Sequence, residues 1–327
     1  MNGNHPMTEK LPTIAFLFPG QGSQSAGMGK ELAATYAVAR QVFDEADDAL
    51  GYKLSELCFE GPDDQLRLTE ITQPAILTVS IAAYRVLAAA DIHPAFVAGH
   101  SLGEYSAHVA AGTLPFADAV RAVRNRGKYM QEAVPVGEGA MAAILALPLE
   151  TIEAACKEAA QDLVCQAANV NSPDQIVISG AKPAIERAAE LCKQKGAKRA
   201  IMLPVSAPFH CAMMQPAQDR LCADLQALNF EAPRTPVMCN VGAKLVTTAE
   251  ESRDALVRQV TGTVLWERSI RNLVEAGVDL FIEAGPGKVL TALMRQIDRS
   301  RTAMNVEDEA SLEKVKNHMA SAIAKAE

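Results

Sequence analysis

A serine stands in a G-x-S-x-G pattern at residues 99–103, between a short apolar run and a segment of helical composition. In this setting the pattern predicts a nucleophile elbow, a sharp turn that lifts the hydroxyl of Ser101 above the edge of a sheet. The backbone N–H of Leu102 would then point at an oxyanion that develops on the substrate. Because G-x-S-x-G also occurs by chance, a turn without chemistry is the alternative. The favoured chemistry is nucleophilic catalysis by serine.

A second glycine-rich loop, at residues 20–24, follows the first apolar run of the chain. It does not match a phosphate-binding loop, because Ser25 stands where the third glycine of G-x-G-x-x-G belongs and no G-K-[ST] follows. We expect the backbone N–H of Gln21 to face Ser101 as the second oxyanion donor, since that donor comes from the loop of another strand. A plain glycine-rich turn is the alternative.

A serine nucleophile needs a base, and His210 is the best candidate among the six histidines. It ends a strand-to-loop segment, where catalytic groups commonly lie. The others lie near the termini, before a proline in a loop, beside the serine or on the elbow helix: His5, His318, His93, His100 and His108. No acidic residue between Ser101 and His210 stands out as a third member. We therefore expect a backbone or amide carbonyl to orient the imidazole.

Three arginines lie on the predicted helix that follows the elbow helix: Arg121, Arg124 and Arg126. A cation beside an acylated serine would suit a substrate with a free carboxylate, which a guanidinium binds with two parallel hydrogen bonds. The alternative for each arginine is a solvated basic face.

Short apolar runs and turn residues predict the elements that position these groups. Buried strands are expected at 13–18, 95–98, 236–240 and 280–283, and helices at 28–50, 71–91, 102–111, 116–133, 216–228, 250–260, 264–276 and 289–297. The helix at 71–91 is apolar nearly all round, which predicts a buried helix. Between them, residues 141–205 follow the order β-α-β-β-α-β of ferredoxin-like domains. The last 25 or so residues are expected to be helical and peripheral.

Composition limits the partners and the compartment. The chain has 327 residues, 49% of them hydrophobic and 21% charged, as in globular proteins. Its net charge of −8 provides no positive field for nucleic acid or an anionic membrane. Seven scattered cysteines without C-x-x-C indicate reduced thiols in the cytoplasm and no zinc site. We also expect no secretory signal and no apolar stretch long enough to span a bilayer.

Eight segments together resemble the malonyl-CoA:acyl carrier protein transacylases of fatty acid synthesis and, more widely, the acyltransferase domains of polyketide synthases. They are FPGQGSQ (18–24), ITQPA (71–75), GHSLGEYSA (99–107), RGKYMQEAV (126–134), ANVNSPDQIVISG (168–180), SAPFH (206–210), LVRQV (256–260) and EAGPGKVL (283–290). The resemblance runs from about residue 13 to 298. Residues 1–10 depart from the usual start, and the sequence leaves open whether they are native.

The resemblance implies an α/β fold in two parts. The larger is an α/β-hydrolase-like subdomain with a parallel sheet, made of residues 11–135 and 205–300. An inserted ferredoxin-like (βαββαβ) subdomain covers residues 136–204, and residues 301–327 form a peripheral C-terminal helix.

The resemblance also implies a role for individual residues. Ser101 would carry the malonyl group as an ester, with His210 as general base and then acid. Gln21 and Leu102 would supply the oxyanion donors, and Arg126 would bind the free carboxylate of malonate.

Four further residues would support this site. The main-chain carbonyl of Gln259 would hold His210, which would explain the missing acid. Asn169 and Asn171 would lie near the mouth of the site. Phe209 matches the malonyl-selective form of polyketide acyltransferases, although bacterial transacylases often have another residue there.

The implied reaction is a ping-pong transfer of malonyl from malonyl-CoA to the phosphopantetheine thiol of acyl carrier protein, without a metal or another cofactor. We expect a monomeric cytoplasmic enzyme, with the acidic carrier docking on a local basic cluster: Lys193, Lys195, Lys198 and Arg199. A solvated helix end is the alternative for that cluster. The alternatives for the whole protein are a trans-acting polyketide acyltransferase, a serine thioesterase or esterase, and a non-catalytic acyl-binding subunit. The sequence does not identify the pathway, the cognate carrier or the tolerance for other extender units.

Overall fold

The computed structural model describes residues 11–205 and 207–326. The extension at residues 1–10, His5 within it, and Ser206 of the SAPFH segment lie outside the described residues. In the described residues the strands are, in chain order, β1 (Ile14–Phe18), β2 (Phe96–Gly99), β3 (Gly139–Leu145), β4 (Cys165–Ser172), β5 (Gln175–Ala181), β6 (Arg199–Met202), β7 (Val237–Met238), β8 (Leu245–Val246), β9 (Leu280–Ala284) and β10 (Thr302–Val306).

Helices make up most of the remainder. They are α1 (Lys30–Thr35), α2 (Ala37–Leu50), α3 (Leu54–Glu60), α4 (Asp63–Leu66), α5 (Thr69–Ala89), α6 (Gly103–Ala110), α7 (Phe116–Glu132), α8 (Leu149–Ala160), α9 (Lys182–Gln194), α10 (Gln215–Gln226), α11 (Ala249–Arg258), α12 (Trp266–Glu275), α13 (Val289–Ile297) and α14 (Glu309–Ala326). A short 3₁₀ turn, Ala212–Met214, precedes α10.

The larger sheet has the strand order β10-β9-β1-β2-β7-β8. All its pairs are parallel except the β7–β8 hairpin. Strands β1 and β2 end side by side, with Phe18 opposite Gly99. The loops that follow these two strands therefore emerge together at one edge, where ligands of open α/β sheets bind. The predicted α/β fold with a mainly parallel sheet is confirmed.

The second sheet is antiparallel and has the order β4-β5-β3-β6. Helices α8 and α9 pack together against it around a separate apolar core. Strand β4 is the edge that faces the larger sheet's helices, and Val170 and Val264 are joined there through a backbone hydrogen bond of 2.9 Å. Residues from this small sheet therefore reach the edge of the elbow.

Helix α5 lies in the main core, as its all-round apolar sequence predicts. By length and composition it is apolar enough to cross a membrane, so the expectation that no stretch is long enough was wrong. In the folded chain, however, 78% of its most apolar window is buried inside the protein. Its apolar surface is accounted for by packing against α2, α6 and α7.

The structure corrects the sequence prediction at several places, among them the short strand β8, which was not predicted. The expected peripheral helix at 301–327 begins instead with strand β10, which pairs with β9, and only then continues as α14. The helix predicted at 28–50 is two helices separated at Tyr36, which has extended backbone angles. Helices α3 and α4 were not predicted.

Candidate active site

Ser101 occupies a strained turn between β2 and α6. Its φ is +51°, in the left-handed region that non-glycine residues rarely adopt. The glycines on both sides are needed because the backbone is crowded: a Cβ at Gly99 would overlap the backbone of Gly103, and a Cβ at Gly103 would overlap the carbonyl oxygen of Phe18. The sequence therefore folds here into the sharp strand-to-helix turn that the pattern predicts.

His210 meets Ser101 across 109 residues of sequence. Its Nε2 lies 2.7 Å from Oγ of Ser101, and its Nδ1 lies 2.9 Å from the carbonyl oxygen of Gln259. A carbonyl only accepts, so Nδ1 carries the proton and Nε2 is left to accept from the serine hydroxyl. Burial, and to a lesser extent the charge of Arg126, lower the pKa of His210 to about 3. The imidazole is therefore a neutral base near pH 7, oriented by a main-chain carbonyl where other serine enzymes have an acid.

Arg126 brings a buried positive charge to the nucleophile. One terminal nitrogen, Nη2, donates to Oγ of Ser101 at 3.2 Å and to Oε1 of Gln259 at 2.9 Å, and the other donates to Oε1 of Gln73 at 2.8 Å. Its Nε has no hydrogen-bond partner among the described residues. No carboxylate hydrogen bonds to this guanidinium in the described chain, so its positive charge remains to attract an anionic group of a substrate.

The other two arginines of α7 lie away from the site. Arg121 is exposed and binds the carbonyl of Ala49 and the carboxylate of Asp118. Arg124 is exposed, with its guanidinium over the ring of Tyr52. Only Arg126 is on the buried face of the helix, which it shares with Val123 and Met130 at helical spacing.

The two predicted oxyanion donors lie on the adjacent loops. Leu102 directly precedes α6, so its N–H has no intrahelical acceptor, and neither it nor the N–H of Gln21 donates to another described residue. Gly20 packs directly on the backbone carbonyl of His100, which brings the loop after β1 against the elbow. Both amides are free for a ligand, and their role in oxyanion binding stays a prediction.

Asn240 holds the elbow, and sequence reasoning missed it. Its Oδ1 accepts from the N–H of Ser101 at 2.7 Å, and its Nδ2 donates to the carbonyl of Gly99 at 2.7 Å. Asn240 follows β7, the strand next to β2 in the sheet. The available signal was a polar residue just after a buried strand, but its partners depend on strand order, which the sequence did not specify.

Gln259 connects more of the site than its main-chain carbonyl. Its side-chain Nε2 donates to the carbonyl of Ser101 at 2.9 Å and to Oε2 of Glu104 at 2.7 Å, while Oε1 accepts from Arg126. Glu104 and Gln73 were also missed, although both lie in segments that carried the resemblance. Glu104 was detectable as the single acidic residue in the small, apolar sequence of α6.

The two predicted asparagines of the small sheet have different positions. Oδ1 of Asn171 lies 2.8 Å from Nε2 of His100, whose ring also packs against Trp266. Asn169 is buried and forms a parallel bridge with Val264, so it fixes backbone beside the site. Phe209 is buried next to His210 and packs in the main core, and its role in selectivity stays a prediction.

The basic cluster on the small sheet is only partly free. Lys193 is paired with Glu190 at 3.5 Å, and Lys195 is paired with Glu158 at 3.3 Å. Lys198 and Arg199 are exposed at the start of β6 and have no ion pair within the described chain. Among the described residues, no group of three or more His, Cys, Asp or Glu side chains could hold a metal ion.

The arrangement supports one class of chemistry. It combines a hydroxyl, a neutral base 2.7 Å away, two unused backbone donors and a buried cation 3.2 Å from the hydroxyl. Such a site can form a serine ester and stabilise the oxyanion that precedes it. The cation favours an acyl group that carries its own negative charge.

Comparison with known proteins agrees with this chemistry. The profile described as "Acyl transferase domain" matches residues 15–325. The malonyl CoA-acyl carrier protein transacylase of Escherichia coli strain K12 is 50% identical over 303 residues, which are 92% of this chain and 98% of that protein. The crystal structure of an acyl carrier protein S-malonyltransferase from Vibrio cholerae is similar with a TM-score of 0.91 at 48% identity, over 93% of this chain and 99% of that chain. A malonyl-transacylase in complex with a type II PKS acyl-carrier protein also gives a TM-score of 0.91, at 47% identity over 93% and 99% of the two chains.

Proposed function

The chain belongs to the acyl transferase domain family, and from that premise we propose that Ser101 carries a malonyl group, as an ester, from malonyl-CoA to an acyl carrier protein. The protein is an acyltransferase of the malonyl CoA-acyl carrier protein transacylase kind, in keeping with a role in fatty acid synthesis. The observation that carries the mechanism is the buried guanidinium of Arg126 at 3.2 Å from the Ser101 hydroxyl. A serine esterase for neutral acyl groups has no use for a cation at that position.

In the first half-reaction, the hydroxyl proton of Ser101 passes to Nε2 of His210 and Oγ attacks the thioester carbonyl carbon. The N–H groups of Leu102 and Gln21 receive the negative charge on the carbonyl oxygen. The carbon–sulfur bond then breaks, and CoA leaves as a thiol with the proton from His210. The carboxylate at the far end of the malonyl group is held by Arg126.

The second half-reaction reverses these steps with a different thiol. The phosphopantetheine thiol of the carrier gives its proton to His210 and its sulfur attacks the ester carbonyl. The carbon–oxygen bond to Ser101 breaks, and the serine recovers its proton. One thioester replaces another with no change of oxidation state, so we propose that the reaction uses no redox cofactor or metal.

We assign the fold in finer detail on the strand orders. The small sheet, β4-β5-β3-β6 with α8 and α9, has the order expected of a ferredoxin-like subdomain inserted at about residues 136–204. The larger sheet with its elbow after β2 corresponds to an α/β-hydrolase-like subdomain built from residues 11–135 and 205–300. The elbow serine comes from the larger part, and the smaller part contributes Asn171 beside it.

We propose that the carrier docks on the small sheet through Lys198 and Arg199, while the paired Lys193 and Lys195 contribute less.

All seven cysteines are free thiols. A reducing compartment keeps thiols in this state, which supports a cytoplasmic enzyme. We further propose that it acts as a monomer, because the whole of the proposed site comes from one chain.

The test is intact-protein mass spectrometry after brief mixing with malonyl-CoA, in parallel with acetyl-CoA. We expect a malonyl adduct on the wild type and on Ser106→Ala, a matched buried serine on the elbow helix, but none on Ser101→Ala. Holo carrier protein should then discharge the adduct and acquire the malonyl group. Release of free malonate without transfer would indicate a hydrolase, and absence of both adduct and CoA release would contradict the function.

The structure of a related transacylase with a type II PKS carrier makes polyketide synthesis the second candidate pathway. Discharge of the malonyl adduct by fatty acid and polyketide carriers, compared as second-order rates, distinguishes the two. A faster rate with the fatty acid carrier is the expected outcome.

A further inference from the structure

Glu104 is a fully buried acid in the centre of the site's hydrogen-bond network. It lies in the first turn of α6, three residues after Ser101, and its Oε2 accepts from the backbone N–H of Asn240 at 2.9 Å and from Nε2 of Gln259 at 2.7 Å. Its other oxygen, Oε1, has no hydrogen-bond partner among the described residues. The reaction described above does not use Glu104, so its burial needs another explanation.

The acceptor Oε2 of Glu104 determines the orientation of the Gln259 carboxamide. A carboxamide has donors on its nitrogen and an acceptor on its oxygen, so an acceptor at Glu104 draws the nitrogen to that side. The oxygen is then turned toward Arg126, where it accepts from Nη2 at 2.9 Å. In the opposite orientation two NH groups would face each other between Gln259 and Arg126.

The same contacts reach the other groups that react. Gln259 holds Nδ1 of His210 with its main-chain carbonyl, and its Nε2 binds the carbonyl of Ser101. Asn240, whose N–H is bound by Glu104, fixes the N–H of Ser101. A single intervening residue, Asn240 or Gln259, therefore connects Glu104 to the nucleophile, to the base and to the cation.

We propose that Glu104 is a positioning residue whose ionised carboxylate fixes Gln259 and Asn240, and that through them it sets the malonyl preference and the pH dependence of the first half-reaction. This inference rests on the proposed malonyl transfer. It concerns a residue that acts through Gln259 and Asn240 and not by contact with a substrate. It predicts that protonation of Glu104, rather than of His210, lowers the rate of the first half-reaction in mild acid.

The electrostatic surroundings explain why this carboxylate would titrate near neutrality. Burial raises the pKa of Glu104 to about 7, against the opposing effects of its hydrogen bonds and of Arg126 and Arg258. The groups facing it from the elements packed around it are Arg126, Arg258, Tyr105, His108 and Cys239.

Of these neighbours, Tyr105, His108 and Cys239 should keep one charge state between pH 5.5 and 8, because burial shifts the pKa of each out of this range. Burial lowers the pKa of His108, whose Nε2 is 4.0 Å from Oε1 of Glu104, to about 3, and it raises the pKa of Cys239 to about 11. His210, with its pKa lowered to about 3, is neutral throughout this range. Hydrogen bonds to an ionised acceptor are about twice as strong as those to a neutral one, so protonation of Glu104 loosens Gln259.

The experiment measures kcat/KM for CoA release from malonyl-CoA, which reports ionisations of the free enzyme. Glu104→Gln keeps an oxygen that can accept but removes the charge. Glu104→Met removes the acceptor at similar size. Glu283 is the matched control, because it is another buried glutamate with a raised pKa that accepts from Leu290 and Thr291, away from Gln259. Thermal unfolding of every variant establishes that it is folded.

For the wild type and Glu283→Gln we expect kcat/KM to fall as the pH drops through about 7. For Glu104→Gln we expect a flat profile between pH 5.5 and 8. Glu104→Met should lose about tenfold or more of the preference for malonyl-CoA over acetyl-CoA, whereas Glu283→Met should keep that preference.

An acid limb that persists in Glu104→Gln, or is absent from the wild type, would overturn the inference, as would a folded Glu104→Met with wild-type malonyl preference. If Glu104→Met does not fold, the profile of Glu104→Gln decides alone. Failure of the wild type to transfer malonyl at any pH contradicts the proposed function instead, so the two failures are distinguishable.

Discussion

At the scale of single residues, the site combines groups with opposite electrostatic demands. His210 must be neutral to accept a proton, while Arg126 must be charged to attract a carboxylate, and both are buried. The lowered pKa of His210 and the intrinsically high pKa of a guanidinium meet these demands together. The positive charge of Arg126 itself helps to keep His210 unprotonated.

The first prediction concerns the selectivity that Arg126 provides. Arg126→Ala should lower kcat/KM for malonyl-CoA by roughly 30- to 1,000-fold, since removing one member of a buried charge pair costs about 2–4 kcal/mol. The effect on acetyl-CoA should be below about tenfold, because that acyl group has no carboxylate. Stopped-flow measurement of CoA release with each thioester gives both numbers.

Arg124→Ala is the control for this prediction, as an exposed arginine two residues away on the same helix. It should leave both rates within about twofold of wild type. Equal losses for malonyl-CoA and acetyl-CoA in Arg126→Ala would show that the arginine supports the fold of the site rather than binding the carboxylate.

Among the individual residues, chemistry could be predicted where it is carried by a local pattern or by elimination. Ser101 came from its motif and His210 from the absence of a better histidine. The roles of Asn240, Gln73 and Glu104 could not be predicted, even where the residue stands out in the sequence as Glu104 does, because an amide or a carboxylate acquires its role only from the partner it faces. Those partners are 53 to 155 residues away in sequence.

At the scale of elements, the elbow depends on how closely α6 approaches β1 and β2. The small residues of this helix, including Gly103 and Ser106, permit that approach and aim the N-terminal end of the helix at the site. A helix held further away would move the N–H of Leu102 out of line with the developing oxyanion, and transition-state stabilisation depends on such placement.

The second prediction tests this close approach. Gly103→Ala should destabilise the protein by about 3 kcal/mol, because the new methyl group overlaps the carbonyl of Phe18 and overpacking of a tight site typically has this size of effect. The folded fraction should also acylate more slowly. Urea unfolding gives the stability, and the malonyl-adduct burst gives the acylation rate.

Ser106→Ala on the same helix is the matched control. Its buried hydroxyl has no hydrogen-bond partner among the described residues, so removing it should change stability by less than about 1 kcal/mol. A Gly103→Ala protein as stable and as fast as Ser106→Ala would show that α6 has room to move.

Two elements, α5 and β10, show when the hydrophobic pattern of the sequence is enough to predict secondary structure and when it is not. Helix α5 was predicted as a buried helix because apolar side chains cover all its faces, and no packing arrangement of a folded domain leaves such a helix in water. Strand β10 was missed because four of its five residues are partly or fully exposed at the sheet edge, so its sequence carries no clear apolar alternation.

At the scale of the whole molecule, the two sheets are joined around the elbow. Val264 exchanges backbone hydrogen bonds with Ala168 and Val170, and Oγ of Ser172 binds Oε1 of Gln296. These contacts are all made by β4 or its neighbours, so one edge of the small sheet is covered. The other edge, β6, is exposed and begins with Arg199.

The third prediction places the carrier at that open edge. Reversing Lys198 and Arg199 together to glutamate should raise the KM for an acidic carrier roughly tenfold at low salt, because two favourable charge contacts become unfavourable. The difference from wild type should shrink at 0.5 M salt, where screening is strong. The KM for malonyl-CoA should not change.

The control reverses two cations outside the small sheet, Lys30 on α1 and Arg40 on α2. Steady-state transfer to the carrier is measured for both double variants, because they carry the same net charge. If both raise the carrier KM equally, overall charge rather than this edge governs the encounter.

The sequence by itself determined the elbow, because a strand, a tight turn and a helix are encoded within about twenty consecutive residues, and it determined the family and the kind of fold through motifs spread along most of the chain. Only the tertiary structure decided that Arg121 and Arg124 face solvent while Arg126 is buried against the nucleophile, and that Glu104 and Asn240 hold the site together. Hydrogen bonds form within a few tenths of an ångström. Distances between residues a hundred positions apart are therefore set by strand order, register and helix rotation, which no local pattern of residues records.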